Sequence, residues 1–100
     1  MFTENELPDG WCLLGEKESR AMEAELERET CNEHILYQKK VVAIARREDR
    51  DDFLFSAKGA EHPLYSVHLT WSQESDPFWP HTTPFVSKSD FIFNSKKIFE

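Results

Sequence analysis

Apolar and polar positions alternate strictly between Leu64 and Trp71. Tyr65, Val67, Leu69 and Trp71 share one phase, and Ser66, His68 and Thr70 the other. A period of two carried by β-branched and aromatic residues predicts a half-buried strand, with Trp71 on its core face and His68 turned away. Upstream, Val41-Val42-Ala43-Ile44-Ala45 is apolar in both phases. That predicts the centre of a strand over 35–47, with Val42 and Ile44 on one side and Val41, Ala43 and Ala45 on the other. Phe53-Leu54-Phe55-Ser56 reads as the next strand, after a charged turn over 47–52. Three consecutive strands with short connections predict an antiparallel meander.

Two segments carry helical spacing. Glu16 to about Cys31 has Met22 and Leu26 four apart, a narrow apolar stripe in a Glu-rich surround. Gly15 is its expected N-cap, with Ser19 as an alternative one turn later. The Glu-rich run reads as a solvated face, the other reading being a partner-binding surface. Near the C-terminus, Ser87 and Asp90 form an N-terminal capping pattern, and Phe91, Ile92, Ser95, Ile98 and Phe99 follow at helical spacing. Residues 91–93 could instead pair as an edge strand. Pro8-Asp9-Gly10 is turn chemistry and leads into an extended segment with Trp11 as a core anchor. Pro77, Pro80 and Pro84 exclude regular helix or a central strand over 72–84. Phe78 and Trp79 within that loop are expected to fold back on the core, the alternative being an exposed contact surface. The expected fold is thus α+β: one domain over 1–100, a three-stranded antiparallel meander with an N-terminal and a C-terminal helix packed on it.

Composition narrows the classes. Thirteen aromatics and 39% hydrophobic residues in 100 make a globular chain able to bury one core. No run of about 18 apolar residues is present to span a membrane. The acidic N-terminus lacks a signal-peptide layout. Cys12 and Cys31 stand at neither metal nor redox spacing and read as free thiols, so a cytoplasmic location is expected. The net charge of −7 argues against nucleic acid and anionic membrane surfaces as partners, and leaves a basic protein open. An uncovered edge strand in so small a sheet would also permit a homodimer.

Motifs for chemistry are sparse. His34, His62, His68 and His81 are scattered, and no pair has metal-ligand spacing. Asp49, Asp51 and Asp52 lack the glycine and distal Glu of a calcium loop. With only three glycines there is no phosphate-cradling loop, and no cofactor is expected. His68 is the titratable group of most interest: Thr70 shares its strand phase, and Glu74 or Asp76 could orient it as a general base. The competing reading is a sheet-face histidine satisfied by a hydroxyl or backbone group. Trp79 and Phe78, with His68 and Thr70, are the candidate binding residues, because aromatic anchors dominate protein interfaces.

Leu-Pro-Asp-Gly-Trp (7–11), Asp-Asp-Phe-Leu-Phe (51–55) and Val-His-Leu-Thr-Trp-Ser (67–72) together resemble a set of short, uncharacterised bacterial proteins. The similarity covers most of the chain, including the Glu-rich helix and Trp79-Pro80. It brings no activity, cofactor or catalytic residue with it. The chain departs from the pattern at 31–37, where a His-Pro-Leu-Tyr-like segment would carry a proline. The expected function is a small non-enzymatic protein-binding module. One alternative is an immunity or inhibitor protein against a basic effector, and another is a small enzyme using His68 as general base.

Overall fold

The computed structural model of the chain describes residues 2–98, with side chains to residue 94. Elements follow in the order β1 (Trp11–Leu13), α1 (Glu16–Glu29), β2 (Lys40–Arg47), β3 (Asp52–Lys58), β4 (Leu64–His68), β5 (His81–Phe85) and α2 (Lys88–Ile98). The class is α+β, but the expected three-stranded meander is a five-stranded antiparallel sheet in the order β1-β2-β3-β4-β5. Two strands escape the sequence pattern. β1 has three residues, too few to show a period. β5 is polar and contains Pro84, which an edge strand tolerates because the missing N–H has no neighbour to bond. The first expected strand also begins later than anticipated, at Lys40, since 32–38 are turns.

The helices lie on opposite faces, and the sheet divides the expected single core in two. On the α1 face Leu26 packs with Phe53, Phe55, Tyr65, Val67 and Leu69. On the other, Phe91 of α2 packs with Trp11, Leu54, Leu64 and Phe85. Phe91 is the hub there, meeting the rings of Phe2, Trp11 and Phe85 edge to face at centroid separations of 5.8, 5.2 and 5.2 Å. Residues 91–93 are helical, and Asp90 N–H donates to Ser87 Oγ at 3.0 Å, so Ser87 caps α2. Phe99, an expected member of the stripe, lies outside the described residues, as do the side chains of Ser95 and Ile98.

A bulge corrects the expected phase of β2. Ala43 pairs with Phe55 but Ala45 pairs with Leu54, so Ile44 is an inserted residue and the two alanines face opposite layers. The all-apolar run conceals this, since either phase looks buried. β1 covers β2 only along Ala45–Arg47. Beyond it, α1 side chains meet the strand: Ser19 Oγ donates to Ala43 O at 2.6 Å and Ala43 N–H donates to Glu23 Oε2 at 3.0 Å. Gly15 is the N-cap, and Ser19 lies inside the helix as a buried docking residue.

The alternation in β4 holds as far as Leu69 and then fails. Tyr65, Val67 and Leu69 are buried while His68 is exposed, but the strand ends at His68. Trp71 is 45% exposed rather than in the core, and its φ is +60°, a left-handed conformation costly for an aromatic residue. The cause is Glu29, at the end of α1.

Candidate functional site

Three constellations carry chemistry. The first surrounds Glu29. Its carboxylate is fully buried and accepts Thr70 N–H at 2.8 Å, Trp71 N–H at 2.8 Å and Thr70 Oγ1 at 3.1 Å. Two adjacent N–H groups aimed at one carboxylate hold the chain in the conformation that turns Trp71 outward, where its ring edge meets Phe53. Thr70 Oγ1 also lies 2.7 Å from Glu74 Oε2. Burial and then the hydrogen bond to Glu25 push the Glu29 carboxyl up to about 7. Thr70 and Glu74 thus belong to a knot joining α1 to the β4 exit, on a different side from His68.

The second constellation is a polar row at the end of the α2-side sheet face. His68 Nδ1 stands 2.6 Å from Asp52 Oδ1. Its carboxylate neighbour is therefore cross-strand Asp52, with Glu74 and Asp76 elsewhere. Arg47, only 2% exposed, lies 2.8 Å from Asp49 and 3.8 Å from the second Asp52 oxygen, so Asp52 holds the guanidinium and the imidazole together. Pairing in register sets Asp52 opposite His68 and His68 opposite His81. A cleft of about 340 Å³ opens over this row. Nothing in the local sequence reports the row, because Arg47, Asp52, His68 and His81 come from four strands and only their register unites them.

The third is the 72–80 loop. Asp76 Oδ1 accepts Phe78 N–H at 2.9 Å and Asp76 O accepts Trp79 N–H at 3.0 Å, forming a tight turn. The Trp79–Pro80 peptide is cis. Pro80 O lies 2.8 Å from Nε2 of buried His34, while His34 Nδ1 accepts Leu36 N–H at 3.0 Å. The accepting Nδ1 assigns the proton to Nε2, so the ring is a neutral donor to Pro80 O. Burial lowers the His34 pKa. Fastened in this way, the loop does not fold back: Phe78 is 79% and Trp79 43% exposed. Phe78, Pro77 and Ile35 line a second cleft, of about 410 Å³, with Glu33 at its wall.

Among the described residues no group of three or more His, Cys, Asp or Glu is placed to hold a metal ion, and no helix is long and apolar enough to cross a membrane. Cys12 and Cys31 are free thiols. No family model matches the chain, and neither a curated protein nor a solved structure is similar enough to match it.

Proposed function

We propose that the chain is a non-enzymatic protein-binding module that docks a basic partner on the ridge of Ile35, Phe78 and Trp79. The observation that carries this reading is the exposure of Phe78 at the tip of a loop pinned from both sides, by Asp76 and by His34. An exposed aromatic on a backbone that is already pinned costs little backbone freedom to bind, which suits it to be an anchor. Glu33 at the cleft, Asp76 beneath the turn and the net charge of −7 complement a basic surface. An immunity or inhibitor protein blocking a basic effector is the sharper form of the same reading.

The test is affinity capture from the native host with wild-type chain, Phe78→Ala and Trp79→Ala, eluting with salt. The expected result is a basic protein that is released as salt rises and is lost from Phe78→Ala, with a cost of about 2 kcal/mol or more in affinity. Equal recovery on wild type and Phe78→Ala would overturn the assignment. A second reading, a small enzyme with His68 as general base, draws on one specific contact. Asp52 at 2.6 Å from Nδ1 is the kind of partner that fixes an imidazole tautomer for proton transfer.

A further inference from the structure

The cleft over the His68 row has a donor-rich lining in an otherwise acidic molecule. Its walls are Arg50, Asp52, Ser66, His68, His81 and Thr83. Ser66 pairs with Thr83 next to the His68–His81 pair, and residues two apart on a strand share a face, so all four side chains line one strip. The single carboxylate in the lining is already engaged: Asp52 faces His68 Nδ1 at 2.6 Å and the buried Arg47 guanidinium at 3.8 Å. Arg50 forms no ion pair among the described residues, and the hydroxyls of Ser66 and Thr83 take no hydrogen bond there. With Nδ1–H of His68 donating to Asp52, its Nε2 remains for a ligand in the cleft that His81 also lines: it accepts a phosphate O–H when the ring carries one proton and donates to a phosphate oxygen when the ring carries two.

One guanidinium, two imidazoles and two hydroxyls converging on one cleft make an oxyanion site. We propose that this cleft binds the phosphate group of a small phosphorylated molecule. Phosphate rather than carboxylate fits because several donors on both strands of the strip need several acceptor oxygens, and phosphate offers three to a carboxylate's two. The volume of about 340 Å³ is at the lower end for small-molecule sites and exceeds one phosphate group, leaving room for a small organic body. A polynucleotide is disfavoured because the net charge of −7 repels an extended polyanion beyond the cleft.

The experiment titrates glycerol phosphate into the full chain while following the imidazole C–H resonances, with glycerol and acetate as controls. Binding at about millimolar strength is expected to move the His68 and His81 signals and leave buried His34 in place, with neither control acting alike. The double variant Arg50→Gln/Thr83→Val should keep the wild-type melting temperature and lose about tenfold in affinity. Absence of shifts up to about 20 mM would overturn the proposal. So would equal shifts with acetate, or unchanged affinity in a folded double variant.

Discussion

Glu29 and His34 show how much a single side chain organises in this fold. Each saturates backbone groups of a segment remote in sequence: Glu29 the N–H groups of Thr70 and Trp71, His34 the carbonyl of Pro80. Replacing His34 by Phe keeps the volume roughly and strands two polar groups, Leu36 N–H and Pro80 C=O. A loss of about 2–4 kcal/mol is expected in urea unfolding, together with faster proteolysis within 72–80. Stability within about 0.5 kcal/mol of wild type would show that the loop is held by something else. Neither role is announced by residue type, because a glutamate in an acidic helix reads as solvated. A signal did exist for Glu29. Ser19, Met22, Leu26 and Glu29 fall at helical spacing on one stripe, so the narrow apolar face continues through polar residues that serve the sheet.

Among the elements, legibility followed the contrast between the two faces. β4 alternates cleanly because its α1 side is apolar while His68 meets solvent. β2 is apolar on both sides, so the Ile44 bulge left no mark. β5 is held by register with β4 and by Phe85; its two threonines favour a strand, but Pro84 and the lack of an apolar alternation hide it, and that register is also what assembles the His68 cleft. α2 attaches chiefly through Phe91, which its capped start positions over three rings. Phe91→Ala should cost about 3–5 kcal/mol, whereas Phe78→Ala should change stability by less than about 0.5 kcal/mol. Paired urea titrations test this contrast. A large loss for Phe78→Ala would mean that the aromatic serves the fold and would remove the main support for a docking ridge.

For the molecule as a whole, two buried titrating groups drive stability in opposite directions with pH. The folded chain keeps a proton on Glu29 up to about 7, because burial and then the hydrogen bond to Glu25 favour the protonated form, whereas the unfolded chain releases it near 4.5. Stability from this residue is therefore complete below about pH 4.5 and is lost as pH rises to about 7, by up to about 3 kcal/mol. His34 acts the other way. Burial lowers its pKa in the fold, so the unfolded chain takes up the proton first and stability is lost as pH falls below about 6.5. The two slopes partly cancel in mild acid, so a wild-type profile alone does not separate them. The difference between Glu29→Gln and wild type does, since His34 is common to both. Glutamine cannot accept the Trp71 N–H with its amide nitrogen, so the variant starts from a constant deficit that does not depend on pH. From about pH 6 to about pH 8 the variant should recover about 1 kcal/mol relative to wild type, about 4–8 °C in melting temperature for a chain of this size. A difference that stays flat across that interval would mean that Glu29 is ionised throughout, and that the two N–H donors at the β4 exit outweigh its burial.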